Sequence, residues 1–443
     1  MSPKKRRLFY LSLILIFLVA GPLIIFRALG YNFKLFERKI VKTGLFYVSS
    51  KPENADIYLD GLLTKKRTPT RLSNLKPGEY LLTLKKTGYQ SWQKKLNIFA
   101  HYTTFADQVV LFKNNPKKDL LISEKILFAK SSTSSSQIAV ITESNGIKSL
   151  KIINPVNKTI KIIEENIEEE IIDLNWGENK FLVARILEQG KNDLMLFDLI
   201  KGVKTKFSSF TIQIFNNLIV SHSNIYGLSG DLIYRIDPYN KKIQALNQKP
   251  ARDFIVKNNY LYYLTSEEKT TELIRLDLAK NEERFINIYN DITHNFLTLE
   301  SENLFIVKDN QSFCIFSVNQ ENQNTCFNHA ISQSLLSPNQ KKLLYNNEHE
   351  IFTYDLTKDE ENLITRQSKN IDQVYWYPNS EYIIYNSDQS IKAIECDLRG
   401  TINSNLLYSE KAEILNLPSA KEITLLIQNG QNKSDDLINL IIL

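Results

Sequence analysis

Apolar and polar residues are ordered along this chain in three successive patterns. Residues 8–26, LFYLSLILIFLVAGPLIIF, run for 19 positions without a charge. As a helix rising 1.5 Å per residue, that run reaches roughly 28 Å, about the hydrocarbon thickness of a bilayer. From residue 44 the pattern shortens to strand-like stretches bounded by turn residues, at 45–48, 57–59, 80–84, 96–98 and 108–112. These predict a small β-sandwich over 44–112. The third pattern is periodic. A short strand that ends in an acidic or turn residue recurs with its marker at Asn154, Asp198, Asp237, Asp277, Ser317, Asp355 and Asp397, spaced by 44, 39, 40, 40, 38 and 42 residues. A period near 40 with several strands per unit predicts the blades of a β-propeller.

The blade count turns on the last unit. Beyond Asp397 two further strand candidates occur, at 423–427 and 437–441, and they leave a unit short of its outermost strand. An open sheet edge invites aggregation, so another segment must cover it. Residues 119–123 (DLLIS) precede the first unit and are available for that purpose, with Leu121→Pro as the substitution expected to remove a ladder donor. Seven blades and eight both fit the length, and the closing strand favours eight. The expected organisation is therefore all-β after one transmembrane helix: 1–43 basic tail, helix and juxtamembrane segment, 44–112 sandwich, 113–118 linker, 119–443 propeller.

Charge sharpens this division. Residues 1–118 hold 22 basic against 6 acidic side chains, leaving 33 against 43 for the rest. Lys4, Lys5, Arg6 and Arg7 precede the apolar run, and the positive-inside rule places the N-terminus in the cytoplasm and the bulk of the chain outside it. The apolar run continues past Ala20-Gly21-Pro22, which favours an uncleaved single-pass anchor over a signal peptide. Basic residues beside such an anchor suit anionic lipid or envelope polymer, with Lys65, Lys66 and Arg67 as contacts on one exposed loop. Nucleic acid is not an expected partner, because the acidic propeller would repel it.

The 44–112 segment also resembles a known family, the PEGA domain. It reads Pro52-Glu53-Asn54-Ala55, Ile57-Tyr58-Leu59-Asp60-Gly61, Thr68-Pro69, Leu75-Lys76-Pro77-Gly78-Glu79-Tyr80 and Gly88-Tyr89, in the family's order. Asn54 stands where the family has Gly, a replacement that a left-handed turn tolerates. Lys66 stands where a Gly usually precedes the Thr-Pro step, which alters the local loop. The resemblance implies an extracytoplasmic adhesion or envelope-association module without catalytic residues. Farther on, Trp376-Tyr377-Pro378-Asn379, Leu336-Ser337-Pro338-Asn339 and Trp176-Gly177-Glu178-Asn179 resemble the Trp-Ser-Pro-Asp-Gly corner of TolB-like and WD40-like propellers.

Candidate chemistry is sparse. No phosphate-binding loop, nucleophile elbow or EF-hand loop occurs, and the five histidines are scattered singly, so no cofactor, metal or catalytic residue is assigned. The acidic stretches Glu164-Glu165 and Glu168-Glu169-Glu170 read as solvated loops or as a cation site. The marker aspartates read as turn organisers whose carboxylates accept backbone N–H groups. Cys314 and Cys326 lie equidistant from a hairpin turn near Gln320, either as a disulfide or as two reduced thiols, while Cys396 has no evident partner. Together these features suggest a membrane-anchored, extracytoplasmic binding or scaffolding protein of the cell envelope, not an enzyme. The alternative is a propeller-based enzyme acting on envelope glycans or peptides.

Overall fold

The structure is a computed structural model that describes residues 3–28, 31–34, 39–132, 135–177, 180–188, 190–215, 217–221, 224–257, 259–267, 269–289, 295–301, 304–308, 311–317, 324–430 and 434–443. These form two compact units. The first comprises residues 1–116 with 393–407 and 443, and the second comprises 117–392 with 408–442.

The first unit opens with a helix, Pro3–Ala28, followed by a hairpin of Tyr31–Lys34 and Lys39–Lys42. The helix leaves large apolar side chains exposed from Phe9 to Ile25. Among the described residues, no helix is long and apolar enough to cross a membrane. The transmembrane segment expected over 8–26 is thus not found as such: these residues lie in the N-terminal helix Pro3–Ala28.

Two sheets make the sandwich. In the three-stranded sheet, Gly44–Lys51 runs between Thr70–Leu75 and Thr103–Val110. In the four-stranded sheet the order is Leu62–Arg67, Asp56–Leu59, Gly78–Lys85, Trp92–Ile98. Their facing side chains include Phe46, Val48, Ile57, Leu82, Leu84, Trp92, Leu96 and Val109, all buried in one cluster. Asn54 adopts φ 62°, the left-handed turn that its place in the motif requires. Lys65, Lys66 and Arg67 are exposed as expected, but on an edge strand and not on a loop. The strand bulges where Tyr58 pairs with Leu63 and Asp56 with Arg67, and this bulge is what the sequence presented as a loop.

Trp92–Ile98 alternates strictly, and its buried face reads Trp92, Lys94, Leu96, Ile98. A lysine in an apolar slot needs a charge partner. Lys94 finds it within the same unit: its ammonium lies 2.7 Å from Glu395, both side chains are almost wholly buried, and it also donates to the Asp397 carbonyl oxygen at 2.6 Å. The Trp92 indole N–H donates to Glu395 at 2.8 Å, and the Asn403 backbone and side-chain N–H groups supply two more donors at 2.7 Å. Each oxygen of the buried carboxylate is satisfied.

Among the described residues, six sheets follow one scheme, four antiparallel strands in sequence order, and a seven-stranded sheet joins the first strands of the ring to the last. Blade 6 is representative: Gln333–Leu336, Lys342–Asn346, Glu350–Asp355, Glu360–Arg366. The markers read from the sequence end the third strand of their blades, at Asn154, Asp198, Asp237, Asp277, Ser317 and Asp355. Asp397 follows the corresponding strand Ser390–Glu395 by two residues. Where the marker is an aspartate its carboxylate caps the next turn, and at Asn154 the amide oxygen does so. Asp237 accepts from the N–H groups of Tyr239 and Asn240, and Asp277 from those of Ala279 and Lys280. The regular spacing along the chain therefore has a local cause, a side-chain-closed turn after the third strand of most blades.

The ring closes through one long strand, Lys117–Ser131. Its first part pairs with Asp435–Ile441, from Lys117↔Ile441 to Glu124↔Asp435, and completes blade 8 with Glu413–Ser419 and Glu422–Ile427. Its second part pairs with Ile138–Ser144 and begins blade 1. The described strands thus make eight blades. The ladder skips a residue between Leu120 and Ile122, so Leu121 sits in a bulge and a proline there removes no ladder partner. The hydrophobic cores lie between blades. Ile122 and Ile126 pack with Ile138, Val140 and Ile153 of blade 1 and Leu415, Leu426 and Leu437 of blade 8. Indoles add struts, since Trp376 and Trp176 donate to the carbonyls of Leu335 and Lys130, each on the preceding blade's first strand.

Candidate functional site

The four-strand scheme dictates which loops share a face. The turn between second and third strands and the start of each first strand lie at one end of every blade. On that face, blades 7 and 8 enclose a cavity of about 590 Å³ lined by Gln373, Asn386, Gln389, Lys411, Glu413 and Gln428, with Asp372 at its edge. Amide side chains build its wall. Gln373 inserts between the first strands of the two blades, donating to the Ile414 carbonyl at 3.1 Å and accepting from the Ile414 N–H at 2.8 Å. Gln333 repeats the device one blade earlier by accepting from the Val374 N–H at 3.1 Å.

Asn386 is the penultimate residue of the second strand of blade 7, Tyr382–Ser387, is 7% exposed, and donates its amide N–H to the Ala412 carbonyl at 2.7 Å. Its amide oxygen is buried and has no hydrogen-bond partner in the protein. Leaving a buried acceptor unpaired costs on the order of 1–3 kcal/mol, so the position calls for a donor. Asn346 holds the matching place in blade 6 and also has a buried, unpartnered amide oxygen.

The ionisable groups shape the field in the cavity. Glu413 is open to solvent at its tip but recessed among protein atoms, and this loss of hydration raises its carboxyl pKa against the opposing charge of Lys130. Below it, the phenol of Tyr375, which donates to the Ile414 carbonyl at 2.9 Å, is pushed up to about 12 by burial and by the Glu413 charge. The site thus offers an orphaned acceptor, several amides, a lysine and two carboxylates. That set recognises hydroxyl or N–H donors on a polar ligand.

A second cavity, about 600 Å³, lies on blade 6 and is lined by Ser332, Asn347, His349, Glu350, Arg366 and Gln367. Two of its charges are spent on each other. Arg366 pairs with Glu350 at 2.5 Å, and the Asn347 amide donates to the same carboxylate at 2.8 Å.

The residues singled out in the sequence lie elsewhere. Arg67 is paired with Asp56 at 2.8 Å and Lys66 donates to the Arg71 carbonyl at 2.7 Å. Of the acidic stretches, Glu164 meets Lys204 at 3.0 Å and Glu169 meets Lys206 at 2.9 Å, and among the described residues no cluster of His, Cys, Asp or Glu could hold a metal. Cys314 and Cys326 are cross-strand partners in blade 5 and form a disulfide, with Cα atoms 4.1 Å apart. The turn near Gln320 lies outside the described residues. Sequence reasoning missed the cavity. The signal available to it was the pair Asn346 and Asn386, one repeat apart behind Tyr345 and Tyr385.

Fold and site together define a β-propeller protein that carries a small β-sandwich module. Residues 43–113 match the model of the PEGA domain. Among solved structures, the Dos1 propeller is similar over 74% of this chain and 94% of its own, at 13% identity and a TM-score of 0.50. That likeness concerns the fold alone. A eukaryotic initiation factor matches at 12% identity, covering 82% of this chain and 92% of its own, with a TM-score of 0.47. An oligogalacturonate lyase in complex with manganese matches at 10% identity over 74% and 98%, with a TM-score of 0.42. No curated protein matches the sequence. A PEGA domain and a propeller fit a binding or scaffolding role.

Proposed function

We propose that this protein is a membrane-anchored, extracytoplasmic binding or scaffolding protein of the cell envelope with no reaction of its own. The observation that carries the binding reading is the buried, unpartnered amide oxygen of Asn386 in the wall of an open polar cavity. A ligand bearing hydroxyl or amide N–H groups, such as an envelope glycan or peptide, would satisfy it. Anchoring is supported by the exposed apolar side chains of Pro3–Ala28, among them Leu15 (65%) and Phe17 (76%), which water hydrates poorly and hydrocarbon accommodates. Placement outside the cytoplasm is supported by the Cys314–Cys326 disulfide, a bond that persists in oxidising compartments.

The test is photo-crosslinking in living cells from a reactive amino acid at Gln389, beside the cavity. A discrete envelope adduct that disappears in Asn386→Ala supports the reading, and an adduct pattern indifferent to that substitution sinks it. Protease added outside a permeabilised outer envelope should digest the body of the chain. One observation favours an enzyme instead: Glu413, with its raised pKa, shares the cavity with Asp372. Release of soluble fragments from envelope glycan or peptide by the purified protein, lost in Glu413→Gln, would replace binding with catalysis.

A further inference from the structure

Three large aromatic side chains of the sandwich face solvent. Phe99 is 60% exposed, Tyr102 70% and Phe105 51%, whereas Phe46, Trp92 and Phe112 are buried. Phe99 and Tyr102 occupy the crossing from Trp92–Ile98 of one sheet to Thr103–Val110 of the other, and Phe105 stands near the start of the strand that the crossing enters. The loop is pinned to the start of the sandwich. His101 N–H donates to the Thr43 carbonyl at 2.9 Å, and Leu45 N–H to the Tyr102 carbonyl at 3.2 Å. Gly44 lies between these bonds, where a Cβ would come within 2.3 Å of the Phe99 carbonyl oxygen and 3.1 Å of that of Tyr102. Only glycine lets the loop sit this close.

The chain before Thr43 doubles back. Tyr31 pairs with Lys42 across the short hairpin. The path from the helix end at Ala28 to Thr43 is therefore about 20 Å at most: three extended residues at about 3.5 Å each, one cross-strand step of about 5 Å and one further residue of about 4 Å. A loop held that near the end of a membrane helix is within reach of the headgroup layer, where Tyr and Trp concentrate and where apolar rings lose their contact with water.

We infer that Phe99 and Tyr102, with Phe105 beside them, seat in the lipid interface next to the anchor, and that their occupant is the bilayer itself. This inference rests on the membrane anchor proposed above. A protein partner would have to be recruited from solution, but the tether supplies the bilayer at high effective concentration, so even a weak aromatic insertion is populated. The seat fixes the sandwich against the membrane surface.

Full-length protein reconstituted in phosphatidylcholine bilayers tests this, with lipids brominated near the headgroup end and near the terminal end of the acyl chains mixed so that a short-range quencher lies both at the interface and at the bilayer centre. Tryptophan is introduced in separate variants, Tyr102→Trp in the loop and Phe17→Trp in the helix, and wild-type emission is subtracted. The added emission of both should fall by at least half in brominated lipid. Quenching of Phe17→Trp without quenching of Tyr102→Trp overturns the loop inference and leaves the anchor standing. Failure of both overturns the anchor and the loop together.

Discussion

Truncating Ile122 to alanine asks how much the closing strand contributes to the ring. Ile122 is 7% exposed and packs into the core shared by blades 1 and 8, whereas Leu120, two positions earlier on the same strand, is 59% exposed. The substitution deletes three carbons, worth about 2.4 kcal/mol at ~0.8 kcal/mol per buried CH₂. The cavity that remains because the surroundings collapse only partially adds to this, so the expected loss is about 3 kcal/mol, within the ~2–5 kcal/mol range of such truncations. Leu120→Ala should cost less than about 0.5 kcal/mol. Hydrogen exchange is the suitable assay because it reads one segment of a two-unit chain. Amides of Asp435–Ile441 pair with this strand, and a 3 kcal/mol loss corresponds to roughly 150-fold faster exchange. Equal effects from Ile122→Ala and Leu120→Ala would refute the closure argument, as would unchanged exchange in Asp435–Ile441.

Lys94→Met strands the buried Glu395 carboxylate and should destabilise the first unit by about 3–5 kcal/mol, while Lys94→Met with Glu395→Leu recovers most of that, as thermal unfolding would read. Backbone N–H donors hold Asp237 and Asp277 below the usual carboxylate range. Their contribution is therefore complete above the unfolded value near about 4 and lost as pH falls through the lowered folded values, so urea midpoints should stay flat from neutrality to about pH 5 and decline below about 4. Asp237→Asn with Asp277→Asn should blunt that decline, and an undiminished acid limb would argue against it. Lys65→Glu with Lys66→Glu should weaken sedimentation of the full chain with anionic polymer at low salt. Arg67→Glu should add less because Arg67 already meets Asp56, and binding insensitive to salt would reject the electrostatic account.

The propeller was legible because its repeat is written in local chemistry. An Asp or Asn that closes a turn sits at or just beyond the end of the third strand in most blades, so one residue class recurs every 40 or so positions. The sandwich was legible for a similar reason, since its turns demand Gly, Pro or Asn at fixed places. Features that depend on distant pairing left weaker traces. The bulge at Leu121 follows from its register against Asp435–Ile441, which no local pattern encodes. Lys94 occupies a core slot of an alternating strand, a visible irregularity, but its partner Glu395 lies some 300 residues away. Lys65 to Arg67 looked like a loop because a charged run before Thr-Pro is typical of turns, yet charges on a sheet edge also deter unwanted pairing. The cavity depends on Asn386 and Gln373 reaching across to blade 8, and such reach is not a sequence property.

The strand Lys117–Ser131 has a consequence for biosynthesis. Its first part waits for Asp435–Ile441, made some 300 residues later, so the ring cannot be finished until that strand has also been synthesised. The cost of closing so long a loop grows only with the logarithm of its length, but contacts of this separation form slowly. Throughout that interval blade 1 would hold its inner strand in a chain whose other end is still free, and two sheet edges would stand open to other chains. Conditions that delay or remove Asp435–Ile441, such as a slow ribosome or a nick just before that strand, should therefore show up as aggregation of otherwise well-folded blades.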